Sequence, residues 1–342
     1  MKLVVFGPRR KVGLLQDREV IDVGAAYASY LAEQTSEPFP QQRAALSVPD
    51  ELGNFILAGE SALAGARLAA KHASERVGDR APFGEPLSWP LESVKLHPPL
   101  ALRARMFLAG NNYPAHAAGA EGSVEPDAEA IGRARRDVRA VGLRGFISFS
   151  ENCVGPGEAI VYPPRTDMLD FEGEIATVIA RECKDVMAAQ AGDLFWGFFL
   201  LNDVSARRAV PVADNPRSRF ARDKNFDTSK TAGPYLAVGE FEDAQDIRWE
   251  TTVNGELRQR GHTRDMVFSF AEMLEYLSAD MTLYPGDVIS AGTSSGTIMD
   301  STPLDANGNR DPAAFLQVGD VIEISNPVLG TLTNQVISKP AP

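Results

Sequence analysis

Cysteine is scarce in this chain: only Cys153 and Cys183 occur in 342 residues, and neither belongs to a CxxC pair. That usage excludes a disulfide framework and a cysteine-built zinc site, and it is what a reducing cytoplasm leads one to expect. Long apolar runs are missing too. No stretch approaches the ~20 residues needed to span a bilayer, and the segment Met1-Lys2-Leu3-Val4-Val5-Phe6-Gly7-Pro8-Arg9-Arg10 lacks the features of a signal peptide. A soluble cytoplasmic protein with no membrane partner is expected. Excess positive charge is also lacking, since the formal net charge is -12 and the acidic residues are spread along the chain. A nucleic-acid partner, which would need a basic surface, is therefore excluded. Phosphate-binding loops are absent as well. Gly292-Thr293-Ser294-Ser295-Gly296 is glycine-rich, but no Gly-Lys-Ser/Thr follows it and no GxGxxG opens a helix, so ATP and NAD lack support. Ser294 and Ser295 lack the GxSxG elbow of a serine hydrolase.

What is present is a pair of carboxylates one residue apart in a strand-like run, Leu169-Asp170-Phe171-Glu172-Gly173-Glu174-Ile175-Ala176. In an extended strand Glu172 and Glu174 project to the same side, with Phe171, Gly173 and Ile175 on the other. Two like charges held so close repel unless something neutralises them. Such a pair is ordinarily a solvated edge, but here Val178 and Ile179 continue the apolar strand and Gly173 leaves room for a close approach. About thirty residues on, the apolar run Phe195 to Leu201 ends in Asn202-Asp203, placing a third carboxylate at the mouth of a buried strand. Three converging carboxylates suit a hard divalent cation, with Mg2+ the first choice and Mn2+ or Ca2+ as alternatives.

Length and pattern suggest two units. Residues 1–100 read as a small N-terminal α+β domain and linker, with strands at 2–6, 12–15 and 19–22. Two or three helices follow between Ala25 and Ala73, broken by Pro38, Pro40 and Pro49, then a proline-punctuated linker from Pro82 to Pro99. Residues 101–342 read as a β-rich domain. Its strands are expected at 106–109, 159–162, 171–180, 195–201, 235–238, 249–253 and 321–324. Helices are expected at 126–141 and 268–278, with a further short one over 186–191. His116 falls in a Gly-Asn-Pro turn just past a strand end. The charged helix that follows reads as a surface helix, with a mobile lid as the alternative.

Taken together these motifs resemble the fumarylacetoacetate hydrolase family. The resemblance rests on Gly110-Asn111-Asn112-Tyr113 with His116, Asp170-Phe171-Glu172-Gly173-Glu174, Asn202-Asp203-Val204-Ser205-Ala206-Arg207 and Asp223-Lys224-Asn225-Phe226-Asp227-Thr228. Gly233-Pro234, Val253-Asn254-Gly255, Leu283-Tyr284-Pro285-Gly286-Asp287 and Gly292-Thr293 complete it. It implies an α+β, β-rich fold, a mixed β-sheet roll or barrel catalytic domain behind a small N-terminal α+β domain, and a homodimer. It also implies metal ligation by Glu172, Glu174 and Asp203, with charge stabilisation by Lys224. Substrate contacts are implied for Tyr113, Arg207, Gly292 and Thr293. Read from the residues alone, Arg207 pairs with Asp203 or another acid as readily as with a substrate.

His116 is implied as the general base, and a histidine needs an acid to orient its ring. Many smaller family members supply a glutamate three residues on, where this chain has Gly119. Glu121 is the expected substitute, with Glu125 and Glu129 as alternatives. Two further departures, Arg208-Ala209-Val210 after Arg207 and Phe146-Ile147-Ser148-Phe149 where a lysine is common, point to a substrate unlike the best-known ones. The expected reaction is metal-dependent hydrolytic cleavage of a carbon–carbon bond in a 1,3-diketo acid of fumarylacetoacetate or acylpyruvate type, in aromatic-compound catabolism. The alternative is a decarboxylase, isomerase or dehydratase working on a 2-oxo acid through a metal-bound enolate. A noncatalytic ligand-binding protein on the same scaffold is the rival from another class.

Overall fold

The computed structural model describes residues 1–76, 78, 80–82, 84–207 and 222–340. Thirteen longer strands carry the architecture. They are β1 (Lys2–Phe6), β2 (Lys11–Gln16), β3 (Glu19–Asp22), β4 (Arg105–Gly110), β5 (Arg144–Phe149), β6 (Gly173–Ile179) and β7 (Phe195–Asp203). The others are β8 (Lys230–Ala237), β9 (Arg248–Val253), β10 (Glu256–His262), β11 (Val288–Thr293), β12 (Val321–Asn326) and β13 (Gly330–Ile337). The main sheet is mixed, in the order Ser88–Pro90, β3, β2, β1, β8, β7, β6, β11, β4, β5. Most neighbours are antiparallel, while β11 and β4 run parallel. The sheet ends at Ser88–Pro90 and β5 and does not close on itself, so the roll-or-barrel expectation resolves to an open sheet. A second sheet runs β10, β9, β12, β13 and Ile160–Val161.

The N-terminal strands extend the main sheet, because β1 pairs with β8 through Lys2 opposite Ala237 and Leu3 opposite Leu236. Helices α1 (Val23–Tyr30), α2 (Pro40–Ser47) and α3 (Leu52–Ser74) cover one face. They bury Phe55, Ile56 and Leu63 against Ala176 and Val178 of β6 and Phe199 and Leu201 of β7. Each such large side chain contributes ~1.5–3 kcal/mol on leaving water. The other face holds Ile175, Ile179, Phe198 and Leu200 against the second sheet. Burial on both faces explains why β7 reads as an unbroken apolar run rather than an alternating one.

This layering positions the site. Glu174 and Asp203 share the face that carries Ala176, Phe199 and Leu201, at the strand ends where the apolar residues run out. Two short helices, α4 (Pro114–Ala120) and α7 (Ile298–Ser301), pack on each other near that end, while α6 (Phe270–Ser278) packs through Phe270 on Phe195 and Phe198 toward the other end of β7. A longer one, α5 (Ala128–Val141), packs Ala134 and Val138 against Ala117 and Ala118 of α4. His116 thus lies inside the first turn of α4, not in an open turn: Pro114 fits the first helical position, where no N–H is needed.

Candidate active site

The acid cluster is real in three dimensions. Glu172, Glu174 and Asp203 are buried, and one ligand atom from each lies within 4.8 Å of the others. The backbone brings them together: Glu174 is registered opposite Leu201, and the Asp203 amide donates to the Glu172 carbonyl at 2.9 Å. Gly173 between the glutamates is clamped. Its N–H donates to Gln259 Oε1 at 3.0 Å, and its carbonyl accepts from Trp249 Nε1 at 3.1 Å and Thr293 Oγ1 at 3.0 Å. A Cβ here would come within 2.2 Å of Thr251 Oγ1, so only glycine fits.

Three cations answer these acids. Lys224 Nζ donates to Glu172 Oε2 at 2.6 Å and to Asp203 Oδ2 at 2.7 Å. Arg207 is paired with Asp170 at 2.9 Å and with Glu172, not with Asp203. Lys230, fully buried, reaches Asp203 Oδ1 at 2.8 Å and donates to the carbonyls of Lys224 and Ser229. Glu174 has a different partner, accepting a hydrogen bond from the Ser290 hydroxyl.

The electrostatics separate the two glutamates. Burial opposes ionisation of Glu172, but Lys224, Arg207 and His116 outweigh it and hold the carboxyl well below the usual range. Burial raises Glu174 far above that range, and the neighbouring charges of Asp203 and Glu172 raise it further. Lys224 is pulled down by burial and up by Asp203 and Glu172, with the upward pull winning. Among the described residues, Arg207, Lys224 and Lys230 pair with Asp170, Glu172 and Asp203, while no cation pairs with Glu174, whose ionisation Asp203 and Glu172 oppose. Asp203 Oδ1 also makes no hydrogen bond, its approach to Lys230 being close in distance but poor in angle. An all-oxygen donor set in which Glu174 has no cation partner among the described residues and Asp203 Oδ1 makes no hydrogen bond fits a divalent cation, whose charge would favour the ionised form of Glu174.

His116 meets an acid that the sequence did not suggest. Its Nδ1 lies 2.8 Å from Asp300 Oδ2 on α7, with both side chains buried. Glu121, Glu125 and Glu129 are exposed, so the expectation of Glu121 as partner is corrected to Asp300. The geometry explains the correction. A Cβ on Gly119 would stand 2.4 Å from the Asp300 Cβ, so the glycine that replaces a local glutamate also makes room for the distant aspartate. Asp300 is fixed in turn, its Oδ1 accepting from the Thr297 hydroxyl at 2.9 Å and the Gly296 N–H at 3.2 Å. Since a carboxylate only accepts, Nδ1 carries the ring proton and Nε2 is left as the basic atom.

The remaining expected residues divide. Tyr113 is buried, packs edge-on to Trp249 at 5.8 Å between centroids, and its hydroxyl has no partner among the described residues. Burial, then the charges of Glu174 and Asp265, push that phenol well up. The Thr293 hydroxyl is spent on the Gly173 carbonyl and on Gln259 Nε2 at 2.9 Å, so it braces the ligand strand. Gly292 adopts φ +83° beside the Ala109 carbonyl, a place for glycine alone. Arg208, Ala209 and Val210 lie outside the described residues. Asp300, Lys230, Ser290 and Gln259 were missed. Only Asp300 carried a local signal, the Thr297-x-x-Asp300 spacing of a helix start.

A family model described as the fumarylacetoacetate hydrolase C-terminal domain matches residues 105–337, well over half of the chain. The chain belongs to the fumarylacetoacetate hydrolase family. Among its relatives, oxaloacetate tautomerase YisK of Bacillus subtilis is 31% identical over 85% of this chain and 87% of its own length. A 2,4-didehydro-3-deoxy-L-rhamnonate hydrolase from a Sphingomonas strain is 34% identical over 56% of this chain and 64% of its own length. In structure, the 2-hydroxyhepta-2,4-diene-1,7-dioate isomerase of Mycobacterium marinum superimposes with a TM-score of 0.56 at 32% identity, covering 77% of this chain and 87% of that one. The acidic cluster of Glu172, Glu174 and Asp203 gives the chain the capacity to bind a divalent cation, and no helix among the described residues is long and apolar enough to cross a membrane.

Proposed function

We propose that this protein is a cation-dependent enzyme that interconverts keto and enol forms of a small 2-oxo acid, with His116 moving the proton. The observation that carries this reading is the buried His116–Asp300 pair, within electrostatic reach of Glu172. Glu172, Glu174 and Asp203 would hold the cation, Mg2+ by preference, and it would supply positive charge that draws electrons from the ketone. His116 Nε2 takes a proton from the carbon beside the ketone, while Asp300 keeps the ring oriented and stabilises the imidazolium that forms. Lys224 has three N–H groups and spends two on Glu172 and Asp203, so one remains for the oxygen on which charge develops. His116 then returns the proton to the other end of the enol system. Tyr113, with its free hydroxyl, and Arg207 would meet the substrate's carboxylate end.

The likeness to a tautomerase over most of both chains and to a dienoate isomerase supports proton transfer ahead of cleavage. Hydrolysis of a diketo acid is the second reading. What favours it is that the dyad is complete despite Gly119, so the same base is available to deprotonate water. The test follows loss of enol absorbance from oxaloacetate and from acylpyruvates, with and without Mg2+ or Mn2+, with products identified. Decay to the keto form without cleavage supports the first reading, while two acids as products would replace it with the second.

We also propose a homodimer. The edge strand β5 leaves Ile147 and Phe149 about half exposed, which suits a second copy, and light scattering on an eluting peak tests it.

A further inference from the structure

Asp170 lies two residues before the first cation ligand but is not part of the acid cluster, and none of the steps above uses it. Its side chain is fully buried. It belongs to the short strand Met168–Asp170, paired antiparallel with Ser205–Arg207. Oδ1 accepts from the Ile298 N–H at 2.9 Å and from the Phe171 N–H at 3.0 Å. Oδ2 accepts from the Met299 N–H at 3.1 Å and from Arg207 Nε and Nη2 at 3.2 and 2.9 Å.

These donors come from the two halves of the site. Ile298 and Met299 open α7, the turn that carries Asp300 and through it orients His116. Arg207 passes from Asp170 to Glu172, one of the three clustered acids. A lone buried carboxylate is costly, and a four-residue helix is readily capped by a neutral side chain, as Thr297 already does by accepting from the Asp300 N–H. A charged group here gains its use from serving both partners at once.

We propose that Asp170 is a positioning residue that holds the His116–Asp300 pair and Arg207 in fixed register with the cation ligands. The proposal deepens the enolising reading and rests on it for its kinetic consequences. Outer contacts of this kind typically carry about 10- to 100-fold in activity.

The test compares Asp170→Asn with Asp170→Ala. With the amide oxygen in the place of Oδ1, asparagine still accepts from the Ile298 N–H, while its NH2 in the place of Oδ2 no longer accepts from Arg207 or Met299, and alanine loses all of these bonds. The chain has four histidines, so 15N-histidine labelling resolves the His116 ring and reports which nitrogen carries its proton. In the wild type and Asp170→Asn that proton is expected on Nδ1, with KM for the 2-oxo acid raised about tenfold in Asn and kcat little changed. In Asp170→Ala the ring is expected to shift toward the Nε2-protonated form, with kcat down about 100-fold. An unchanged His116 tautomer in a folded Asp170→Ala protein overturns the proposal. Should alanine not fold, a wild-type KM in Asp170→Asn overturns it instead. If the wild type turns over no 2-oxo acid, the functional reading fails, while the tautomer comparison still decides the positioning role.

Discussion

At the residue scale the account turns on Asp300. Replacing it with asparagine keeps the shape of the side chain but removes the charge that fixes the Nδ1–H tautomer of His116. We expect kcat to fall by about 10²- to 10⁴-fold, the range of a lost general base. Mn2+ affinity by calorimetry should stay unchanged, because no ligand is touched. Glu121→Gln should leave both quantities at wild-type values, since Glu121 is exposed and makes no contact with His116. Glu174 supplies a prediction in pH. Its folded-state pKa is raised above the ordinary value of 4.5 by burial and by Asp203 and Glu172. The stability it contributes is therefore fully present below about 4.5 and is lost as pH rises toward the folded value. Glu172, held low, behaves oppositely and loses its contribution as pH falls below 4.5. In metal-free protein, Glu174→Gln should thus gain on the wild type in urea unfolding as pH rises above 4.5. A constant difference between the two proteins would contradict the assignment.

At the element scale, α4 and α7 meet where Gly119 admits Asp300. Gly119→Ala places a Cβ inside the contact, and overpacking of this kind costs about 1–3 kcal/mol, measurable as a lowered Tm. The same substitution should lower kcat by displacing Asp300, although it changes no ionisable group. The expected strands at 2–6 and 249–253 and the helices near 126–141 and 268–278 all form, because their apolar spacing matches the faces they bury. The three clustered acids were legible for the same reason, sitting where a strand's alternation or its apolar run gives out. Asp300 was legible only as part of a helix start, because its pairing with His116, 184 residues away, is set by packing across Gly119. Lys230 and Gln259 were hidden likewise, since each reads as an ordinary strand residue until register sets Lys230 opposite Asp203 and folding carries Gln259 to Gly173.

At the scale of the whole molecule, the proline-rich stretch before Leu100 suggested a domain boundary, and we retain a division near residue 100 as a proposal. The pairing of β1 with β8 and the burial of α3 against β6 and β7 tie the two parts together. Residues 101–342 made alone should expose the β8 edge and the apolar face under α3, and should aggregate on size-exclusion chromatography. A monodisperse folded fragment would show the N-terminal part to be dispensable. Cation binding should be felt globally too: at 100 times its Kd a divalent ion adds about 2.7 kcal/mol to stability, and Glu174→Gln should abolish the resulting rise in Tm.

The most direct test of the central claim is proton exchange in D2O, followed by NMR on a non-cleavable 2-oxo acid with Mg2+ present. The account predicts cation-dependent deuterium incorporation at the carbon beside the ketone, reduced at least 100-fold in both His116→Gln and Asp300→Asn. Exchange at the same rate in those variants, or none in the wild type while diketo acids are cleaved, would contradict it.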